Sequence, residues 1–446
     1  MPDHAISTDP DVQAQLDRLT MLSPGKDVLG LERIAALLER LGNPHHHLPP
    51  VFHVAGTNGK GSTCAFLRSA IEAAGFTTHV YSSPHLVRFN ERIRVAGRLI
   101  DDRTLSVLLS EVLDHADGLQ ASFFEVTTAV AFCAFARTPA DACIIEVGLG
   151  GRLDATNIIT HPVACGIASL GLDHEAFLLA AEEGVPDMPP LDRIAFEKAG
   201  IAKPGVPLVM QKYAASMANT VAKQASVHGA ILHARGEIWD AAVYGDRLHY
   251  RDETGKLDLP LPRMTGAHQA DNAALAVAML RHQHAVHVPE AAMSAAMEWT
   301  RWPARMQKLA EGPLTARLPD GSSIWLDGGH NPDAGAAIAR TLHDGTPVHV
   351  IVGMLKNKDA LGFLKPFADK IASIIAVPIS GHEHHDPEEL CQLASIQLNI
   401  DDAATASDVT TAIEQLASRK QPVNALICGS LYLAGEVLRL NDEVPD

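Results

Sequence analysis

The run Val51-Phe-His-Val-Ala-Gly-Thr-Asn-Gly-Lys-Gly-Ser-Thr63 constrains this chain more than any other. A short apolar stretch breaks into a Gly/Asn turn, followed by Lys60 and small hydroxyl residues that open a helix. A polyphosphate site needs that order. The strand holds the turn rigid, glycines let backbone N–H groups approach phosphate oxygens, Lys60 adds a point charge, and the helix N-terminus adds a partial one. The helix itself is legible, because Phe66, Leu67, Ala70, Ile71 and Ala74 fall on one stripe and Gly75 suits the stop. The spacing departs from the usual nucleotide loop: Gly61 separates Lys60 from Ser62, and Val54 replaces an early glycine. A merely structural turn is the alternative, but it gives a buried lysine no purpose.

At 446 residues the chain exceeds one ordinary core. The composition is globular, with 47% hydrophobic and 20% charged residues, and the net charge of -17 argues against a nucleic-acid partner. An anionic ligand must then be held by a local pocket. Six cysteines without a Cys-x-x-Cys pair read as reduced core residues, which points to the cytoplasm. The polar, acidic stretch Met1–Asp17 is unlike a secretory signal, and no apolar run approaches the roughly 20 residues that span a bilayer.

Strands and helices alternate, which predicts an α/β fold with mostly parallel sheets. Strands are expected at Val51–Ala55, His79–Ser82, Ala142–Val147, Val163–Ser169 and Val206–Met210. Helices are expected at Gly30–Leu41, Gly61–Ala74, Asp102–His115 and Glu125–Ala136, with a hairpin at Arg92–Ile100 and short strands between 229 and 261. His268–Arg281 reads as a helix. A second alternating unit follows, with strands at Ile324–Asp327, Val348–Val352, Ile371–Val377 and Ala425–Cys428. Its helices are expected at Asp333–Leu342, Asp359–Phe367, Pro387–Leu393 and Leu431–Leu440. The boundary falls near Glu298–Ala304, giving domains 1–298 and 299–446. Ala181–Leu191 reads as a surface loop.

Several strand ends carry polar residues, where open α/β sheets place ligands. Glu146 terminates an apolar strand, so its carboxylate calls for a cation: Mg2+ beside a phosphate loop, or else Arg152. Asp173-His174 follows another strand, although such a pair is commonly a hydrogen-bonded core feature. Lys198 sits where a helix ends, a position that also suits the helix dipole. Asp327, His330 and Asn331 could bind a polar ligand or nucleotide sugar, with a capping role for Asn331 explaining one of the three. Arg305 could reach a phosphate or simply face solvent. His382, His384 and His385 read as solvated.

These clusters, in this order, resemble the bifunctional dihydrofolate synthase/folylpolyglutamate synthase family of the Mur ligase superfamily. The matching pieces are Gly30-Leu-Glu-Arg-Ile34, Gly56-Thr-Asn-Gly-Lys-Gly61, Tyr81-Ser-Ser-Pro-His-Leu86, Glu146 to Asn157, Leu172-Asp-His174, Glu197-Lys-Ala-Gly-Ile201, Asp327-Gly-Gly-His-Asn-Pro332 and Cys428-Gly-Ser430. The resemblance implies a two-domain Mur-ligase-like fold, an N-terminal P-loop-type sheet followed by a smaller Rossmann-like domain. It also implies an ATP-dependent amide ligase in which a pterin-linked carboxylate becomes an acyl phosphate and the α-amine of glutamate displaces phosphate. The substrates implied are ATP, L-glutamate, dihydropteroate and tetrahydrofolate.

By the same resemblance, Thr57, Asn58, Gly59, Lys60 and Gly61 cradle the ATP phosphates, and Asn272, Arg305 and Asp327 contact the nucleotide. Ser83, Glu146 and His174 are the implied Mg2+ ligands. Lys198 carries a carbamate that supports a second Mg2+. The pterin lies near Phe124, Glu125, Leu153, Asp154 and Ala155, while His330 and Ser430 hold glutamate. Lys60, Lys198 and His330 are the implied catalytic residues. Two departures stand out: the segment between His174 and Lys198 is long, and Ala304-Arg305 replaces the family's Gly-Arg. Alternatives are a ligase with only one of the two activities, another Mur-type ligase, or a nucleotide-binding regulator. The folate-type motifs at Tyr81–Leu86 and Gly30–Ile34 disfavour a peptidoglycan-type ligase acting on a sugar-linked carboxylate, and the retained Lys60, Glu146, His174 and Lys198 disfavour the regulator. No long amphipathic or apolar segment is left unassigned, which points to a monomer; the net charge speaks against a nucleic-acid partner and the short apolar runs against a membrane one.

Overall fold

A computed structural model describes residues 5–22, 29–180, 182, 185–342 and 347–446. Two compact units emerge: Met1–Arg263 with Gln269–Arg301, and Met264–His268 with Trp302–Asp446. The sequence reading cuts the chain once, at 298/299. The division instead falls after Arg301, and the short stretch 264–268 groups with the second unit. The helix Glu290–Trp299 explains the later cut, since it buries Ala292, Met293, Ala296 and Met297 within the first unit.

The first unit is built on eight strands: β1 (Val51–Ala55), β2 (Thr78–Tyr81), β3 (Ile93–Val95), β4 (Arg98–Leu99), β5 (Ala142–Glu146), β6 (Ala164–Ile167), β7 (Pro207–Met210) and β8 (Ile231–Ala234). Their order is β4-β3-β2-β5-β1-β6-β7-β8, parallel from β2 to β8, with the β3–β4 hairpin antiparallel at one edge. β1 and β5 are buried at every position, as mostly apolar runs require of strands covered on both faces, with His53 and Glu146 as the polar exceptions. One hydrophobic cluster joins Tyr81, Cys143 and Ile145 to the helices Pro10–Leu22, Glu32–Arg40, Asp102–His115 and Phe123–Arg137. Another joins Cys165, Ile167 and Leu208 to Pro190–Ala199 and Ala215–His228. The helix His268–Arg281 is nearly all buried, and Gly166 on β6 has no side chain because Met279 Sδ would lie 2.3 Å from its Cβ.

Between 229 and 261 the expected short strands form β8 and an antiparallel sheet of β9 (Trp239–Tyr244), β10 (Arg247–Asp252) and β11 (Gly255–Pro260). The second unit has β12 (Gln307–Lys308), β13 (Ser323–Asp327), β14 (Val348–Val352), β15 (Ile371–Ala376), β16 (Ala403–Thr405) and β17 (Asn424–Cys428). Their order is β12-β13-β17-β14-β15-β16, parallel except for β12.

Among the described residues, the helices Pro10–Leu22, Glu175–Leu178, Ala215–His228, Glu290–Trp299 and Val409–Ala417 escape the sequence reading. Pro366 and a non-helical Phe367 break the helix expected at Asp359–Phe367 into Ala360–Leu364 and a 3-10 segment, Lys365–Lys370. The expected loop Ala181–Leu191 falls partly outside the described residues (181, 183 and 184), and its last two residues open the helix Pro190–Ala199. Among the described residues all six cysteines are free, and no helix is long and apolar enough to cross a membrane.

Candidate active site

The glycine turn leaves β1 with two positions that exclude a side chain. Gly56 has φ +148° and a would-be Cβ 2.9 Å from Ala168 Cβ; Gly59 has φ +85° and a would-be Cβ 2.3 Å from Asn272 Oδ1. Asn272 therefore packs directly on the turn, and its amide donates to Gln269 Oε1 at 3.1 Å. The turn is also pinned to the segment after β6. Thr57 N–H donates to Ser169 O at 2.7 Å, its hydroxyl donates to Gly171 O at 2.9 Å, and Ser169 Oγ donates to Asn58 O at 3.1 Å. The helix Lys60–Ala73 starts at once, directing its first N–H groups back over the turn. Lys60 Nζ curls over the same turn, donating to Gly56 O at 3.1 Å and to Thr57 O at 3.4 Å. Oriented N–H groups, one ammonium and no intruding side chain suit a polyphosphate.

Glu146, the last residue of β5, pairs in register with Val54 of β1 and is buried. Ser83, just beyond β2, donates its N–H to Glu146 Oε2 over a long 3.4 Å. Two of the three expected metal ligands are thus neighbours. Arg152 takes Glu197 and Glu182 as its ionic partners, so the pairing with Glu146 considered from sequence is not the one formed. His174 has φ +53° at the start of the short helix Glu175–Leu178, and its ring stands 3.9 Å from Asp173 Oδ2. Among the described residues no three His, Cys, Asp or Glu side chains converge as a metal cage. The Ser83 hydroxyl and the Glu146 carboxylate are oxygen donors of the kind that Mg2+ takes beside waters and phosphate oxygens, and one or two carboxylates suffice for it.

Lys198 is buried on Pro190–Ala199. Burial first, and then the Lys60 ammonium, push its amine down to about 7, against the pull of Asp173, Asp154 and Glu197. These mutual influences put Lys198 in the electrostatic neighbourhood of the glycine turn. A close backbone approach fixes its place: Arg152 N–H donates to Glu197 O at 2.8 Å, and a Cβ on Gly200 would lie 2.4 Å from Arg152 Cβ. The Arg152 guanidinium grips Glu197 at 3.0 and 3.1 Å, Arg193 reaches the same carboxylate at 2.8 Å, and Glu182 bridges both arginines.

Phe124 fills the room that a side chain on Gly148 would need, its ring atoms 2.4–2.9 Å from that Cβ, and its ring centre lies 5.9 Å from that of Tyr81. Glu125 already has structural work. It forms a capping box with Ser122 at the start of Phe123–Arg137 and pairs with Arg33 at 3.0 and 3.1 Å. The Gly30–Ile34 motif is thereby tied to this helix. Asp154 is buried between Leu153 and Ala155, with Leu149 N–H on one oxygen at 2.8 Å and Thr156 on the other. Burial pushes its carboxyl up, opposed by these bonds and by Lys60.

In the second unit, β13 and β17 run parallel with Asp327 opposite Cys428, and Gly429 N–H donates to Gly329 O at 3.1 Å. The loops carrying His330 and Ser430 are therefore adjacent. Asp327 accepts from Gly329 N–H at 2.7 Å and from Met306 N–H at 2.8 Å, fastening the turn that carries Arg305. Ala304 (φ +54°) and Met306 (φ +42°) flank Arg305 in backbone that glycine would adopt more easily. Asn331 caps Pro332–Thr341 by accepting from Ala334 N–H at 2.9 Å, and Ser430 caps Leu431–Leu440 by accepting from Tyr432 N–H at 3.1 Å. His330 Nδ1 lies 3.0 Å from Gly328 O. The histidines expected in solvent are half-buried: His382 stacks on Tyr432 at 3.8 Å, and His385 bonds Lys358 O at 2.8 Å. Sequence reasoning passed over Arg33, Thr156 and Arg193, although Arg33 and Thr156 stood inside quoted motifs.

Known proteins decide which chemistry this arrangement serves. Residues 315–440 match the family model described as dihydrofolate synthetase, C-terminal domain. The Escherichia coli (strain K12) dihydrofolate synthase/folylpolyglutamate synthase is 33% identical over 420 residues, covering 93% of this chain and 92% of the relative. The chain belongs to the dihydrofolate synthase/folylpolyglutamate synthase family. Solved structures of the family agree. E. coli FolC in complex with DHPP and ADP superposes with a TM-score of 0.84 at 31% identity, covering 98% of each chain. A bifunctional folylpolyglutamate synthase/dihydrofolate synthase with Mn, AMPPNP and L-glutamate bound gives 0.82 at 30% identity, covering 97% of this chain and 98% of that one. The family's two-domain Mur-ligase-like fold is the fold of this protein.

Proposed function

We propose that the protein is an ATP-dependent ligase that joins L-glutamate to dihydropteroate, forming dihydrofolate, and adds further glutamates to tetrahydrofolates. The observation that carries this reading is the glycine turn with Lys60 folded over it and Asn272 packed against it, in a chain of this family. Thr57, Asn58, Gly59, Lys60 and Gly61 hold the triphosphate, with Asn272, Arg305 and Asp327 also assigned to the nucleotide. Phe124, Leu153, Asp154 and Ala155 receive the pterin. Glu125 acts there as a support, through its cap and its pair with Arg33. His330 and Ser430 are assigned to glutamate.

Ser83, Glu146 and His174 would hold a divalent metal, which supplies charge neutralisation on the transferring phosphoryl group. The pterin-linked carboxylate attacks the γ-phosphorus of ATP, giving an acyl phosphate and ADP. The glutamate amine then adds to the acyl carbon, loses a proton, and phosphate leaves. Lys60 offsets the charge that builds on the phosphoryl oxygens. Lys198, with its amine near neutrality, suits carbamate formation with CO2, and the resulting anion would support a second metal. A monomeric, cytoplasmic enzyme completes the reading.

The test is purified protein with ATP, Mg2+, glutamate and dihydropteroate, following phosphate release and product mass. Phosphate release that needs both co-substrates, with dihydrofolate as product, is expected. Nucleotide binding without turnover would overturn the assignment.

A further inference from the structure

His53 is the middle residue of β1, the strand that carries the glycine turn, and it is wholly buried. An imidazole in the centre of an apolar strand is costly unless it is hydrogen-bonded. Its Nε2 stands 2.9 Å from Thr156 Oγ1. Thr156, also wholly buried, directs both its hydroxyl and its backbone N–H (3.0 Å) to Asp154 Oδ1. A threonine hydroxyl has one proton, and here Asp154 takes it. Thr156 Oγ1 must then accept from His53, which fixes the ring as the Nε2–H tautomer.

Nδ1 is buried with no hydrogen-bond partner, so the strand tolerates one unsatisfied atom while keeping Nε2 engaged. Burial and the nearby Lys203 ammonium push the ring down to about 3, so it works as a neutral donor and not as a cation.

At the far end of this chain, Asp154 has three of its acceptor positions filled: Leu149 N–H on Oδ2, and Thr156 N–H and hydroxyl on Oδ1. A carboxylate offers about four. The one position left is of the kind that an N–H donor on an aminopyrimidine ring would fill.

We propose that His53 is a positioning residue for pteridine recognition, acting through Thr156 to hold the Asp154 carboxylate in its substrate-facing orientation. This rests on the reading of Asp154 as a pterin contact. The bonds run from His53 through Thr156 to Asp154, so loss of the ring is expected to weigh more on the pterin substrate than on ATP.

The experiment compares His53→Phe, His53→Gln, Thr156→Val, Thr156→Ser and Asp154→Asn by steady-state kinetics with dihydropteroate and with ATP varied separately. His53→Phe keeps a flat ring but no donor. It is expected to raise KM for dihydropteroate about tenfold, the order typical of a lost outer partner, and to move KM for ATP by less than about twofold. His53→Gln, which places an amide N–H near the former Nε2, restores most of the loss. Thr156→Val reproduces the defect, Thr156→Ser relieves it, and the double variant His53→Phe/Thr156→Val adds nothing beyond either single change. An unchanged dihydropteroate KM in His53→Phe, or parallel increases for both substrates, overturns the inference. Should His53→Phe not fold, the Thr156 pair decides: a wild-type KM in Thr156→Val rejects the chain, and a raised KM rescued by serine supports it. Asp154→Asn separates the two layers. If it leaves the dihydropteroate KM unmoved, the pterin reading itself fails; if it raises KM while His53→Phe stays silent, only the role of His53 is lost.

Discussion

The two units hold their polar residues in opposite ways. In the first unit, Glu146 and Lys198 are buried ionisable groups, and close backbone approaches seat the glycine turn at Gly56 and Gly59 and the Lys198 helix at Gly151 and Gly200. In the second unit, Asp327, Asn331 and Ser430 spend acceptor atoms on backbone N–H groups, as loop fasteners and helix caps. The first arrangement keeps charge poised for a ligand. The second builds a rigid frame on which His330 and Arg305 are carried. A mutation in the first should therefore be felt in chemistry, and one in the second should be felt in stability as well.

The sharpest way to break that contrast is Lys60→Ala. Loss of a positioned cation from a phosphoryl-transfer site is expected to lower turnover about 100-fold or more, with little change in melting temperature. Near-normal phosphate release would refute the phosphate role. Lys198→Ala should also cost activity, and turnover equal to wild type would remove the carbamate assignment.

Acidification should distinguish the units next. Burial pushes His45, His53, His85 and His233 of the first unit down to about 4, 3, 4 and 4. Their folded values lie below the unfolded 6.5, so the unfolded chain binds more protons in between. Stability is then full above about pH 6.5 and falls as pH drops towards 4. Urea midpoints read by pulse-labelled hydrogen exchange at fixed labelling pH should fall for peptides of the first unit between pH 7 and 5. His53→Phe should shallow that fall, and a pH-independent midpoint would contradict the buried-histidine account.

A smaller effect is expected at Asp327→Ala, which strands the Gly329 and Met306 N–H groups and should cost about 2 kcal/mol of second-unit stability in urea denaturation. An unchanged midpoint would mean that the Arg305 turn holds itself. Smallest is Glu182→Gln. This residue bridges Arg152 and Arg193 from a half-exposed position, so its loss should cost below about 1 kcal/mol. A larger loss would show that the long segment before Lys198 braces the helix.

Legibility followed burial. β1, β5 and β14 are buried or nearly so along their length, so their mostly apolar runs announced them, His53 and His349 notwithstanding. Ala215–His228 buries only Met217, Val221, Gln224 and Ala225, a thin stripe in a polar, Ala-rich segment that periodicity does not single out. Val409–Ala417 was readable after all: Val409, Ala412, Ile413 and Leu416 recur at helical spacing behind a capping Asp408. The glycine turn could be read because its chemistry is local. The His53–Thr156–Asp154 chain could not, since it depends on how β1 meets the segment Ala155–Ile158, more than a hundred residues later.

The helix His268–Arg281 touches this assembly twice. Asn272 abuts Gly59, and two helical turns further along Met279 seats its sulfur against Gly166. One rigid rod thus acts as a gauge between the phosphate-side turn and the middle of the sheet. Oxidising Met279 to its sulfoxide would thicken the rod where no slack exists, and the shim would tilt Asn272 off the turn although Met279 itself meets no substrate.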